Sequence, residues 1–302
     1  YLQNTGVAVA TADIRFYDIN GNCQHTLEDV SIAPNGQAAV NLAGIAQLGS
    51  FSGSAVVSAD QALAVTVRQD NANGAGYSDY NAFSSGADTL YLPSLLKGYY
   101  NWNSAFQVQN VGDIAAHVTI TYSNGLTRTL LLPVPAKGYA MVSQSTEAGL
   151  PNNWAGSAWL STNNGQPIVA IVNQQNTATG RRSHQSYSAL LGGAASLVAP
   201  FVANNLGGDG WKTGLQVQNV DSAAAQVQRS YYYAGGSAAV GGGTENIDPG
   251  ACAVYAADGM PVGAELSASV VSLNGQRIGG ICNLSRSSGA GDIGGSYNLP
   301  GH

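Results

Sequence analysis

The stretch Trp102-Asn103-Ser104-Ala105-Phe106-Gln107-Val108-Gln109-Asn110-Val111 returns as Trp211-Lys212-Thr213-Gly214-Leu215-Gln216-Val217-Gln218-Asn219-Val220. Its frame is a Trp, a hydroxyl two residues on, alternating apolar and polar positions, then Gln-Asn-Val. Tyr1-Leu2-Gln3-Asn4-Thr5-Gly6 opens the chain with a half-finished version. Gln3 to Gln109 and Gln109 to Gln218 are steps of 106 and 109 residues, the size of one small β-sandwich. Three versions of one unit in 302 residues constrain the fold more than any other feature.

Other landmarks keep the same order. His117 to Tyr122 alternates apolar and polar residues, as a half-buried strand does. Asn20-Gly21 and Asn124-Gly125 are hairpin signals, since Gly supplies the positive φ of a tight turn. Pro34-Asn35-Gly36, Pro135-Ala136-Lys137-Gly138 and Pro249-Gly250 mark one turn three times. Phe51-Ser52-Gly53-Ser54-Ala55 matches Trp154-Ala155-Gly156-Ser157-Ala158, and Ser267-Ala268 continues the match. Asp79-Tyr80-Asn81, Ser186-Tyr187-Ser188 and Ser296-Tyr297-Asn298 end the units. Seven or eight short strands per unit and no helical pattern predict an all-β chain of three tandem immunoglobulin-like β-sandwich domains, 1–88, 89–195 and 196–302.

The first unit lacks the segment that opens the others, Leu90 to Asn103 and Leu197 to Lys212. A sandwich without an edge strand exposes unpaired N–H and C=O groups that template strand addition. Tyr1, Leu2, Gln3 and Asn4 are therefore expected to form an assembly edge. Either preceding sequence or a neighbouring molecule would supply the strand. Residue 1 already lies inside the repeat, so a secretory leader is read as removed or as lying upstream.

Charged residues make up only 9% of the chain, 44% are apolar and Gly numbers 39. Orderly alternation argues against disorder, and low charge with many small polar residues suits extracellular β-proteins. A net charge of −6 and a pI near 5.0 disfavour nucleic acid as a partner. Arg181-Arg182 is the one basic pair, expected in a polar loop. Ala194 to Ala203, the longest apolar run, holds Pro200 and falls short of the roughly 18 residues of a membrane span.

Chemistry-bearing motifs are sparse. His25, His117, His184 and His302 have no ligand-like spacing. Asp18 to Asn22 fails as a calcium loop because Cys23 stands where the Gly belongs. Gly49-Ser50-Phe51-Ser52-Gly53 misplaces the Ser of a nucleophile elbow. No enzyme activity, cofactor or metal is expected. Trp102 and Trp211 recur and read as packing, as does Trp154, which is matched by Phe51. Trp159 stands where Val56 and Ser269 stand. With Tyr231, Tyr232 and Tyr233, whose neighbours must point to opposite faces, it is the candidate surface contact.

Cys252 and Cys282 fall on strands where the middle unit has Ala140 and Val172. Facing each other across the sandwich, they would form a disulfide adding roughly 3–4 kcal/mol; two buried thiols are the alternative. Cys23 is left over, free or bridging to a neighbour. Asn283-Leu284-Ser285 is a lone glycosylation sequon.

Gly210 to Val220, followed by a Val-rich strand and the type of strand at Gln166 to Asn173, resembles repeats that occur in tandem in large secreted or surface proteins of bacteria, notably relatives of filamentous phototrophs. The resemblance covers almost the whole chain and brings no activity with it. The expectation is an extracellular structural protein, a subunit of a filament or surface layer, joined to copies of itself through sandwich edges, with strand donation as one route. The alternative is a secreted adhesion or glycan-binding module.

Overall fold

The computed structural model describes residues 1–70, 77–178, 183–256, 259–286 and 294–301; Arg181, Arg182 and His302 lie outside them. The described chain is all-β, with two single-turn 3-10 helices, Leu42–Gly44 and Gln144–Thr146, and no α-helix. No helix among the described residues is long and apolar enough to cross a membrane.

The first repeat contains β1 (Leu2–Asn4), β2 (Ala10–Tyr17), β3 (Cys23–Ile32), β4 (Gln37–Ala38), β5 (Ser54–Ala59), β6 (Leu63–Asp70) and β7 (Tyr77–Asn81). The second contains β8 (Thr89–Tyr99), β9 (Trp102–Asn110), β10 (Val118–Tyr122), β11 (Thr127–Thr129), β12 (Tyr139–Ser143), β13 (Trp154–Thr162), β14 (Ile168–Asn176) and β15 (His184–Ser188). The third contains β16 (Ser196–Leu206), β17 (Trp211–Asn219), β18 (Ala225–Tyr233), β19 (Gly241–Ile247), β20 (Cys252–Ala256), β21 (Glu265–Ser272), β22 (Ile278–Arg286) and β23 (Gly294–Asn298).

The second and third repeats share one topology. Strands run β11-β10-β13-β8-β9-β14-β15 with β12 on β9, and β19-β18-β21-β16-β17-β22-β23 with β20 on β17. In each, one long strand, β8 or β16, pairs along one half of the sandwich and then turns into the other. The register shifts beside Pro93 and Pro200, where a residue without an N–H fits an irregular ladder. Among the described residues the first repeat has no such strand. Its strands separate into sheets of four, β4-β1-β6-β7, and three, β3-β2-β5.

Alternation decides which side chains go inside. In β2, Ala10, Ala12, Ile14 and Phe16 are buried and the residues between them are not, the period-2 signature of a sheet with one covered face. Phe16, Tyr122 and Tyr231 hold the same register, opposite Ala55, Ala158 and Ala268. Two of them stack edge-on against matched aromatics, Phe16 on Phe51 and Tyr122 on Trp154. Buried apolar clusters lie within residues 2–65, 87–189 and 194–299, with Ile281 joining the second cluster.

The motif itself is structural. Asn4, Asn110 and Asn219 are each 0% exposed. Each donates its side-chain N–H groups to two carbonyls: Ala8 and Ile32, Ile114 and Val134, Ala223 and Ile247. Each also accepts from the backbone N–H two residues on. One amide thus closes the turn after its strand and ties that turn to a strand end of the facing layer. The hydroxyl two residues after the Trp also has its reason: Ser104 and Thr213 accept from the N–H groups of Leu96 and Ala203 beside the irregular stretch.

Three expectations are corrected by this arrangement. Tyr1–Asn4 is no edge: β1 pairs with β4 on one side and β6 on the other, and Leu2 and Asn4 are buried. Tyr231 is no surface residue: it is 0% exposed, at the core position of Phe16 and Tyr122. The Cys252–Cys282 bridge is not formed, and both thiols are free. Their strands both pair with β17 in one sheet, Cys252 opposite Gln218 and Cys282 opposite Leu215. Positions 215 and 218 differ in parity, so the two thiols point to opposite faces of that sheet.

Candidate assembly interface

The third residue of each recurring Pro-turn, closed by Gly36 N–H to Ala33, Gly138 N–H to Pro135 and Ala251 N–H to Asp248, is left-handed: Asn35 at φ 57, Lys137 at φ 63 and Gly250 at φ 73. That conformation aims its carbonyl outward, and the preceding repeat binds it. Ser54 Oγ donates to the Lys137 carbonyl at 3.0 Å, and Ser157 Oγ donates to the Gly250 carbonyl at 2.8 Å. The same carbonyls accept from Gln109 and Gln218 within their own repeats. The contact between first and second repeats and the contact between second and third are therefore built on one residue pattern.

The last strands add a second recurring bond. Ser188 Oγ donates to the Asn81 carbonyl, and Asn298 Nδ2 donates to the Ser188 carbonyl. Around them, Ser78 Oγ lies 2.8 Å from His184 Nδ1 and from Ser186 Oγ, and Ser296 donates to the Ser186 carbonyl. His184 thus serves contact between repeats rather than standing alone in solvent.

Burial follows the same logic. Gln3, Gln109 and Gln218 are equivalent; they are exposed, half-buried and buried in that order. Asn35, Lys137 and Gly250 follow the same gradient. Each outward Gln face is covered where another repeat precedes it. The second contact is the closer one, because β17 and β22 pack on β8 and Ile281 enters the second cluster.

Trp159 belongs to this contact. A Cβ built on Gly250 would meet its ring at 2.3 Å, so the six-membered ring of the indole packs where any side chain at 250 would stand. Gln218 Nε2 also donates to the Ala158 carbonyl beside it. Of the residues expected as a surface contact, Trp159 lies against Gly250 of the third repeat, Tyr231 is in the core, Tyr232 is half-buried and Tyr233 is exposed. Ser54 and Ser157 carry the interface and were not singled out by sequence reasoning. Their signal was the recurring Gly-Ser-Ala.

The thiols sit apart from any reactive arrangement. Burial pushes Cys252 up to about 11 and Cys282 up to about 12. Cys23 is exposed, near the His25 carbonyl. Among the described residues no group of three or more His, Cys, Asp or Glu could hold a metal ion.

No family model matches the chain, and no curated protein matches it. Among solved structures, a crystal structure of Thermotoga maritima 1070 is similar over 34% of this chain and 93% of its own, at 14% identity and a TM-score of 0.29.

Proposed function

We propose that the chain is a structural, self-assembling protein of the cell exterior, a subunit of a filament or surface layer made of three immunoglobulin-like sandwich domains, 1–88, 89–195 and 196–302. The observation that carries this reading is the recurrence of the Ser-to-carbonyl contact, Ser54 to Lys137 and Ser157 to Gly250. A catalytic or ligand-binding chain has no need to repeat the same serine-to-carbonyl bond at successive interdomain contacts.

The first and third repeats present the two complementary halves of this contact. Asn35 has the left-handed turn conformation and is exposed beside exposed Gln3. Ser267, equivalent to Ser157 by the pairing of Ala268 with Tyr231, is half-buried on the other end of the chain. One molecule's Ser267 face fits the next molecule's Asn35 turn. The two patches are different, so this contact is head-to-tail and propagates unless its rotation closes a ring. With only 9% charged residues, packed copies repel each other little.

Negative-stain electron microscopy of the purified chain tests the proposal. Filaments or sheets with an axial repeat that is a whole number of repeats are expected. Dispersed single particles at high concentration in native buffer count against it.

A further inference from the structure

We infer that the seam between the closing strands of the three repeats is a binding groove for an uncharged polysaccharide. The groove lies within one chain, so the inference stands apart from the assembly reading.

The first observation is the seam itself. β15 lies against β7 on one side and β23 on the other. Among the described residues each of the three strands pairs only within its own repeat, with β6, β14 and β22. Side chains rather than a ladder join them: Ser188 donates to the Asn81 carbonyl, Ser296 to the Ser186 carbonyl and Asn298 to the Ser188 carbonyl. Segments 79–84, 186–192 and 296–299 line a groove of about 550 Å³ there, within the range of ligand sites.

The second observation is what the groove presents. Tyr187 and Tyr297 turn their hydroxyls into their own sandwiches, to the Ser94 and Phe201 carbonyls at 2.6 Å. The residues on either side of each Tyr therefore point the other way, toward the seam. Asn81, Ser188 and Asn298 hold one position in the three repeats and form a row along it. Asn81 Nδ2, Asn298 Oδ1 and Ser84 Oγ bond to no described residue, since Asn81 is engaged through Oδ1 and Asn298 through Nδ2. Leu191 is 42% exposed and, with half-buried Phe83, adds apolar surface to the same groove.

These features choose among ligands. No described Lys or Arg lines the groove, and its one carboxylate, Asp79, stands opposite Arg68 in the β6–β7 pair. An anionic chain would find no charged donor there. A peptide strand needs a free backbone edge, but the carbonyls of Asn81, Ser186 and Ser188 already accept from the following repeat. Neutral donors, neutral acceptors and apolar surface remain, set in a row that recurs from repeat to repeat. A chain of uncharged sugar rings matches all three: its hydroxyls bond to the Asn and Ser groups, and its C–H faces pack on Phe83 and Leu191.

The test uses the full chain, titration calorimetry and hydrogen exchange. Cellohexaose and maltohexaose are the neutral probes, and the hexamer of galacturonic acid is the anionic one. Saturable binding of at least one neutral hexamer is expected, with slowed exchange of amides 79–84 and 186–192, and no binding of the anionic hexamer. Gly192 lines the groove, and a Cβ built there meets nothing within 4 Å. Gly192→Trp should therefore fill the groove and weaken binding roughly tenfold or more, while leaving the melting temperature in place. Asn81→Ala should weaken binding about fivefold, the loss of one hydrogen bond. Failure of both neutral hexamers to bind, equal binding of the anionic one, slowed exchange only outside the groove, or unchanged binding by Gly192→Trp overturns the inference.

Discussion

Ser157 donates its hydroxyl to the carbonyl oxygen of Gly250 across 2.8 Å, joining the second repeat to the third. The bond lies beside Trp159, whose ring rests on the same glycine. In the first contact Lys137 occupies the glycine's place, at φ 63, and Val56 occupies the tryptophan's. The two contacts share a serine hydroxyl-to-carbonyl bond and differ in how the space above it is filled.

That difference makes Gly250 testable. Lys137 shows that the left-handed turn can carry a side chain, so a Cβ at Gly250 meets two costs, the backbone strain of its positive φ and the Trp159 ring. Gly250→Ala should lower stability by about 1–3 kcal/mol through overpacking. Adding Trp159→Val, which copies the first contact, should recover the part owed to the ring in a double-mutant cycle followed by urea unfolding. Additive losses in the double variant would mean that the ring and the glycine do not oppose each other.

The buried amides should be the costliest polar residues to remove. Asn110→Ala leaves the Ile114 carbonyl and the Gly112 N–H without that partner and takes one of two donors from the Val134 carbonyl, which keeps the Ala116 N–H, at a site that is 0% exposed, a loss of about 1–3 kcal/mol. Asn110→Asp should also destabilise at neutral pH, because a carboxylate cannot donate to the Ile114 and Val134 carbonyls. The shift in the urea midpoint followed by tryptophan fluorescence measures both. A neutral Asp variant would contradict the assigned donors.

Thiol chemistry separates the three cysteines. Exposed Cys23 should react with a disulfide reagent in the folded protein, while Cys252 and Cys282, held protonated by burial, should react only after denaturation. Mass spectrometry after non-reducing digestion should find no Cys252–Cys282 bridge. Recovery of that cross-linked peptide would reverse the placement of the two side chains on opposite faces.

Alkaline pH should destabilise the fold. Burial lifts Cys252 to about 11 and Cys282 to about 12 from an ordinary value of 9.0, and lifts Tyr187, Tyr255 and Tyr297 above 10.0. Each group gives up its proton first in the unfolded chain. The stability these groups contribute is therefore complete below about pH 9 and falls as pH rises through their folded values. Thermal melts from pH 7 to 11 should show that decline. Cys282→Val, which installs the residue type of Val172, should make it shallower.

The all-β class, the alternation and the recurring turns could be read from the chain because each is local: a period of two, an Asn-Gly pair, a Pro before a turn. The Gln-Asn motif could be found but not explained, since its carbonyl partners, such as Val134 for Asn110, come from a distant strand. Sheet membership was hidden for the same reason. Cys252 and Cys282 were placed across the sandwich because nothing local says that β20 and β22 both pair with β17. Tyr1–Asn4 was read as an edge for the same reason: nothing local says that β4 and β6 flank it. Tyr231 was misread within a run of three tyrosines, although alignment with Phe16 and Tyr122 pointed inward.

Sedimentation velocity over a wide concentration range tests the head-to-tail contact most directly, with the wild-type chain beside Ser267→Arg. Ser267 lies on the outer face of the third repeat, half-buried and outside its apolar cluster, so the substitution should leave the monomer folded. The account predicts that the wild-type sedimentation coefficient climbs with concentration without reaching a closed species, and that Ser267→Arg stays monomeric. A wild-type chain that sediments as a monomer throughout, or a variant that assembles as well as the wild type, would contradict it.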